Sequence, residues 1–251
     1  MRIGSGPAVI VMAEMPGINP KVADFARRVA EIGCTAVLPH LFGTPGRDPN
    51  PDVRGPLGSA TYALSSLVPA CISREFTVLA TGRTSPVIGW LRALAAHEHE
   101  RCGGPGVGAV GMCFTGGFAL AMAADERIVA PVLSQPSLPL GVTPKARRGI
   151  DISPADLDAV KHRCAAGDLR VLGLRFSGDR LVPRSRFEFL RRELGDAFVA
   201  VELPNASANP DGAIPAHSVL TEHLIDEPGQ PTRDALDTVL DLLRGRLLDA
   251  A

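Results

Sequence analysis

Short apolar runs alternate with segments of helical periodicity along almost the whole chain, and this alternation limits the possible folds more than any other feature. The runs have the length of β-strands and are apolar at nearly every position; they cover residues 8–13, 35–38, 107–112, 129–133, 171–176 and 198–203. Continuous apolar character is typical of parallel strands that are covered on both faces. The sequence therefore predicts an α/β fold with a mainly parallel central sheet and helices on both faces.

The helical segments carry their own start and stop signals. Apolar residues recur on one face over residues 21–32 and again over 236–247. Ser153 is followed by a proline and an early acid, which is typical of a helix start. Residues 183–194 precede Gly195, which is typical of a helix end. The alternation continues along all 251 residues, so we expect residues 1–251 to form one domain.

Three stretches interrupt the pattern. Residues 43–59, 134–149 and 204–216 are predicted as long surface loops, the first and last being rich in glycine and proline. Long loops in compact domains often serve as lids or binding loops. Plain surface insertion is the other interpretation, and the sequence leaves both open.

The composition excludes several classes of protein. The chain has 26 basic and 27 acidic residues and a net charge of −1, which argues against nucleic acid or an anionic membrane surface as a partner. No apolar run approaches the ~20 residues of a membrane span, and the first residues lack the pattern of a secretory signal. Five cysteines without a CxxC pair argue against a disulfide framework or a structural zinc site. We therefore expect a cytoplasmic protein with reduced thiols.

The most informative segment is the transition from an apolar strand through Gly-Met-Cys-Phe-Thr-Gly-Gly to an alanine-rich helix. Cys113 stands where a nucleophile elbow carries its nucleophile, and Gly111 and Thr115 are its small flanking residues. A thiol at a helix N-terminus is favoured as the thiolate, and the backbone N–H of Phe114 would point at an oxyanion. The alternative is a buried cysteine in an ordinary strand–helix corner.

The nucleophile–acid–base order of an α/β-hydrolase triad is completed by two residues that follow Cys113 in the chain. Asp179 lies just past an apolar strand, and His217 ends a long loop. Asp179 can instead be a turn or cap residue, and His217 a surface histidine. His223 is the nearest rival for the base. The remaining histidines are His40, which follows a strand, and His97, His99 and His162, which lie in predicted helices.

Together these segments resemble the dienelactone hydrolase family of the α/β-hydrolase superfamily. The resemblance covers most of the chain. It is carried by MAEMPGIN at 12–19, VLPHLF at 37–42, GMCFTGG at 111–117, SGDRLVP at 177–183 and HS at 217–218. Thr115 stands where better-known members have glycine.

The resemblance implies a Cys–His–Asp triad. It makes Cys113 the nucleophile, His217 the base and acid, and Asp179 the group that orients the imidazole. It also implies that Glu14 is a carboxylate near the thiol of the resting site, which moves when substrate binds.

The resemblance further implies where the substrate is held. The backbone N–H groups of Met15 and Phe114 would form the oxyanion hole. Family members bind a substrate carboxylate with arginines, and Arg74 and Arg83 are the candidates here.

The resulting hypothesis is hydrolysis of a small ester or lactone through an acyl-cysteine, without metal or organic cofactor. The alternative is a non-hydrolytic binding or redox-sensing protein that has the same fold and a reactive cysteine. The expected partner is the small-molecule substrate, with no nucleic acid and no membrane. The sequence leaves open whether the protein is a monomer or a homodimer.

Overall fold

The computed structural model describes residues 1–76, 78–79 and 81–249. Its strands are β1 (Arg2–Gly4), β2 (Ala8–Met12), β3 (Thr35–Val37), β4 (Val107–Met112), β5 (Ile128–Ser134), β6 (Val171–Phe176) and β7 (Phe198–Leu203). Its helices are α1 (Pro20–Glu31), α2 (Pro51–Ile72), α3 (Val87–Cys102), α4 (Phe118–Met122), α5 (Pro144–Arg148), α6 (Pro154–Ala165), α7 (Arg184–Leu194) and α8 (Pro231–Leu247).

These strands form one sheet in the order β1-β3-β2-β4-β5-β6-β7. β1 runs antiparallel to β3, and all the other neighbouring pairs are parallel. The prediction of a mainly parallel sheet is confirmed. Because parallel strands end at the same edge of the sheet, the loops that follow β2, β4, β5 and β6 lie close together, and in open α/β sheets this is where ligands bind.

Helices cover both faces of the sheet, as predicted. β2, β4 and β6 are buried at every position, which explains their continuous apolar character. On one face, α1 and α8 pack on the sheet through residues such as Phe25 and Leu236. On the other face, α3, α4, α6 and α7 contribute residues such as Leu91, Phe118 and Phe187.

The predicted strands are all present, with ends that agree within one residue. The predicted helix signals are also confirmed: Ser153 Oγ accepts the N–H of Asp156 at 3.1 Å, and α7 ends at Leu194, directly before Gly195, whose φ is 56°. β1 was not predicted, because this edge strand has only three residues and no apolar run.

The predicted loop at 43–59 is wrong in its second half. Asn50 Oδ1 accepts the N–H of Asp52 at 2.8 Å and caps α2, whose first residue is Pro51. Gly55, with φ of 73°, kinks the helix, and Pro56 follows it in the helix. The glycine and proline content predicts a loop, but Pro51 and Pro56 each stand where a helix can begin, Pro51 at the start of α2 and Pro56 just after the kink.

The other two predicted loops differ in how much regular structure they contain. The stretch 134–149 begins inside β5 and contains the short helix α5, whose cap is Thr143. The stretch 204–216 has no regular structure beyond the 3₁₀ turn Asn205–Ser207. Within the described residues, no helix has both the length and the apolar character needed to cross a membrane.

Candidate active site

Cys113 occupies a sharp turn between β4 and α4. Its φ is 53°, which is uncommon for a residue with a side chain and typical of a strained functional position. A Cβ at Gly111 would lie 2.2 Å from the carbonyl oxygen of Thr115, and a Cβ at Gly116 would lie 2.5 Å from Pro136 Cα. The turn therefore leaves no room for a side chain at Gly111 or at Gly116.

Thr115 ties this turn to the neighbouring strand. Its buried Oγ1 accepts the N–H of Met112 at 2.9 Å and donates to the carbonyl oxygen of Met12 at 2.9 Å. Met12 ends β2, and the segment after it carries Glu14 and Met15. The threonine thus fixes the spacing between the end of β2 and the elbow.

The structure brings Asp179 and His217 together at the carboxyl edge of the sheet. His217 Nδ1–H donates to Asp179 Oδ2 at 2.6 Å, and both side chains are buried. Asp179 Oδ1 accepts the N–H of Leu181 at 2.9 Å, which orients the carboxylate. His217 Nε2 is buried and has no hydrogen-bond partner of ordinary geometry among the described residues. Nδ1 is thus held by a carboxylate, whereas Nε2 has no such partner in the described part of the chain.

The electrostatic surroundings of His217 favour the charged imidazolium. Burial lowers its pKa, but the interactions with the sulfur of Cys113 and the hydrogen bond and charge of Asp179 together outweigh the burial, so the pKa is raised well above its ordinary value. The raised pKa favours a protonated, positively charged His217 beside the sulfur of Cys113.

Ser137 is a neighbour of the thiol that the sequence analysis missed. Its Oγ lies 3.5 Å from Cys113 Sγ, and its N–H donates to the carbonyl oxygen of Cys113 at 2.9 Å. Ser137 follows β5, the strand next to β4. Its sequence signal is its place shortly after a predicted strand, inside the stretch 134–149 that is predicted as a surface loop.

The two candidate oxyanion donors follow adjacent strands. Met15 lies after β2 and Phe114 after β4, and these strands pair with Met12 opposite Gly111. In the part of the chain that the structure describes, neither backbone N–H makes a hydrogen bond. Both donors are therefore available to a ligand.

Glu14 is buried beside the segment that carries His217. Its carboxylate accepts hydrogen bonds from Ser218 Oγ at 2.6 Å, from Gln135 Nε2 at 3.1 Å and from Thr221 Oγ1. Among the described residues, none of its hydrogen bonds goes to the thiol. In this structure Glu14 anchors the His217 segment, a role that the sequence did not indicate.

The two candidate arginines lie at the surface. Arg74 and Arg83 are exposed, on the segment between α2 and α3. Neither forms a hydrogen bond or an ion pair with another described residue. The structure does not bring them into contact with the triad candidates.

The rival histidines have other partners or places. His223 is buried, and both of its ring nitrogens are engaged by the backbone. His40 is exposed, with Nε2 2.9 Å from the carbonyl oxygen of Gly43. His97 and His99 lie in α3 and His162 in α6, as predicted.

The remaining cysteines lack the surroundings of Cys113. All five are free thiols. Burial raises the pKa of Cys34 to about 11 and raises that of Cys164, so both favour the protonated thiol. In the described ranges no group of three or more His, Cys, Asp or Glu side chains is arranged to hold a metal ion.

Comparison with known proteins identifies the class to which this fold and site belong. The sequence profile of the dienelactone hydrolase family matches residues 3–166, well over half of the chain. The chain therefore belongs to the dienelactone hydrolase family.

Particular relatives are more distant. The hydrolase fragment YghX of Escherichia coli (strain K12) is 42% identical over 52 residues, which are 21% of this chain and 44% of that protein, so the match spans less than half of the relative. The solved structure of the dienelactone hydrolase-like promiscuous phosphotriesterase P91, from metagenomic libraries, is 16% identical with a TM-score of 0.57, covering 98% of this chain and 88% of P91. Est1E from Butyrivibrio proteoclasticus is 12% identical with a TM-score of 0.52, covering 97% and 90%. These two structures share the fold.

Proposed function

We propose that this protein hydrolyses a small ester or lactone through an acyl-cysteine, with Cys113 as nucleophile, His217 as acid and base, and Asp179 as the orienting carboxylate. The observation that carries the proposal is the buried 2.6 Å hydrogen bond between His217 Nδ1 and Asp179 Oδ2. Together with the positive φ of Cys113, it reproduces the division of roles in a hydrolytic triad.

In the first half of the reaction, the Cys113 thiolate attacks the substrate carbonyl carbon. The carbonyl electrons move to its oxygen, which accepts hydrogen bonds from the free N–H groups of Met15 and Phe114. The tetrahedral intermediate collapses and expels the alcohol, which takes a proton from His217 Nε2. The product of this half is a thioester on Cys113.

In the second half, water replaces the alcohol. His217, now neutral at Nε2, takes a proton from water as it attacks the thioester, and the same oxyanion hole holds the second intermediate. Collapse of that intermediate releases the carboxylic acid and restores the thiolate–imidazolium pair. Asp179 keeps Nδ1 protonated throughout, so that Nε2 faces the reaction in both halves.

Glu14 belongs to the proposed site as a second buried carboxylate. In this scheme its bonds to Ser218 and Thr221 hold the segment that starts at His217.

We further propose that residues 1–251 form one domain, because the described strands build one sheet and the site draws on both ends of the chain. A cytoplasmic location fits five free thiols.

The arginine proposal concerns substrate choice. If Arg74 or Arg83 binds a substrate carboxylate, replacing it by alanine raises KM for a carboxylate-bearing ester and leaves KM for a neutral ester unchanged. Steady-state kinetics on such a matched pair of esters measures this. Equal KM changes for both esters, or none, would remove the arginine from the site.

The experiment that tests the function is turnover of p-nitrophenyl acetate by the wild type, by Cys113→Ala and by Cys71→Ala. Cys71 is an exposed thiol outside the site, so its variant is the matched control. We expect turnover in the wild type and the control and none in Cys113→Ala. Turnover that persists in Cys113→Ala would overturn the proposal. A stable adduct without turnover would favour the binding or redox-sensing alternative.

A further inference from the structure

The base of the proposed triad lies on a segment without regular secondary structure, and a second histidine organises that segment. His223 Nδ1 accepts the backbone N–H of Ser218 at 3.1 Å and that of His217 at 3.4 Å. The N–H of His223 donates to the carbonyl oxygen of Ser218 at 3.0 Å. The ring thus closes a loop of seven residues whose first member is His217.

The opposite side of the His223 ring also has close contacts. His223 Nε2 lies 2.9 Å from the carbonyl oxygen of Ile214, which belongs to the loop that leads into the site. The ring packs edge-on against Phe176, with centroids 5.9 Å apart, and is 1% exposed. A Cβ at Gly212 would lie 2.5 Å from Nε2. His223 therefore joins the two arms of the loop that flank His217.

These partners fix the chemical state of the ring. Two N–H donors point at Nδ1, so Nδ1 carries no proton, and a carbonyl oxygen faces Nε2, so Nε2 carries it. This neutral tautomer satisfies every contact, whereas an imidazolium would point an N–H at two other N–H groups. A base that cycles its proton during turnover cannot keep these bonds, which separates the role of His223 from that of His217.

We propose that His223 is a positioning residue: through Nδ1 it holds the backbone of His217 and Ser218, and thereby keeps the His217 imidazole between Asp179 and Cys113. The inference rests on the proposed function, because His217 is the base whose position it explains. His223 touches no reacting atom in this scheme and acts only through the main chain of His217 and Ser218.

The test compares two substitutions at one position. In His223→Asn the side-chain oxygen replaces Nδ1 as an acceptor, and in His223→Phe the ring volume remains but both polar contacts are lost. We expect His223→Phe to lower kcat about 100-fold, the cost of a displacement of about 1 Å in an active site, with little change in KM. His223→Asn should recover kcat to within about tenfold of the wild type.

A second substitution, at Gly212, displaces the His223 ring without changing His223 itself. Gly212 is on a half-exposed loop, and in Gly212→Ala the new methyl group must displace the His223 ring. We expect Gly212→Ala to lower kcat about as much as His223→Phe. Gly212→Ala therefore tests the inference even if His223→Phe does not fold. Gly245→Ala is the matched control, because no atom lies within 4 Å of a Cβ at Gly245.

A readout independent of turnover separates this inference from the proposed function. The proton between His217 Nδ1 and Asp179 gives a downfield ¹H NMR resonance, which we expect in the wild type and in His223→Asn but not in folded His223→Phe. If the wild type lacks esterase activity while the resonance follows this pattern, the function fails and the positioning role stands. If His223→Phe and Gly212→Ala keep both kcat and the resonance, or if Asn and Phe are equally impaired, the positioning role is wrong.

Discussion

Replacing Thr115 by valine removes one buried hydroxyl from the elbow and leaves its shape almost unchanged. In the native protein this hydroxyl accepts the N–H of Met112 and donates to the carbonyl oxygen of Met12, each at 2.9 Å. Thr115 is fully buried, so water cannot replace either bond. The substitution therefore leaves a buried donor and a buried acceptor without this partner.

The size of the effect follows from these two bonds. An unsatisfied buried N–H costs about 1–3 kcal/mol, and a lost hydrogen bond about 1 kcal/mol net. We expect Thr115→Val to lower the free energy of unfolding by about 2–4 kcal/mol, and the melting temperature by about 4–16 °C for a chain of this size. Because the hydroxyl fixes the end of β2 relative to the elbow, we also expect kcat to fall by about tenfold.

Urea denaturation of Thr115→Val and Thr115→Ser, followed by circular dichroism, measures the stability, and ester turnover measures kcat. Serine keeps the hydroxyl and loses one buried methyl group, which costs about 1 kcal/mol. If Thr115→Val is no less stable than Thr115→Ser, the hydroxyl does not tie the two strands, and the reasoning is refuted.

Two further predictions concern the triad and the turn. Asp179→Asn should lower kcat by about 10⁴-fold, because an amide favours the wrong imidazole tautomer. It should also lower the pKa of His217, since the carboxylate that raises this pKa is gone. An NMR titration of His217 whose midpoint does not move to lower pH would contradict this second expectation. Gly116→Ala should destabilise the fold by about 1–3 kcal/mol in urea denaturation, because its Cβ would lie 2.5 Å from Pro136 Cα. An effect no larger than that of Gly245→Ala would show that the turn does not need glycine there.

The sequence predicted the sheet well because its central strands are buried on both faces. β4, for example, is buried at every position, so it stands out as a continuous apolar run. β1 has an exposed–intermediate–exposed pattern at the edge of the sheet and carries no such signal. The glycines and prolines of α2 predict a loop, and the start of this helix is marked only by Asn50 and Pro51.

The candidate site divides in the same way. The order of Cys113, Asp179 and His217 along the chain, and the position of the first two at strand ends, could be read from the sequence. The bonds that anchor Glu14 could not, because they join residues from loops far apart in the chain. Local patterns reveal residues at strand ends but not which side chains meet across the sheet edge.

The central claim is that an acyl group passes through the sulfur of Cys113. The most direct measurement is to quench the reaction with p-nitrophenyl acetate in acid within its first turnover, digest the protein and locate the added acetyl group by mass spectrometry. The account predicts one acetyl group on Cys113, absent from Cys113→Ala and lost from the wild type as turnover proceeds. Acetyl groups found only on other residues, or turnover with no covalent adduct while product is released at full rate, would contradict it.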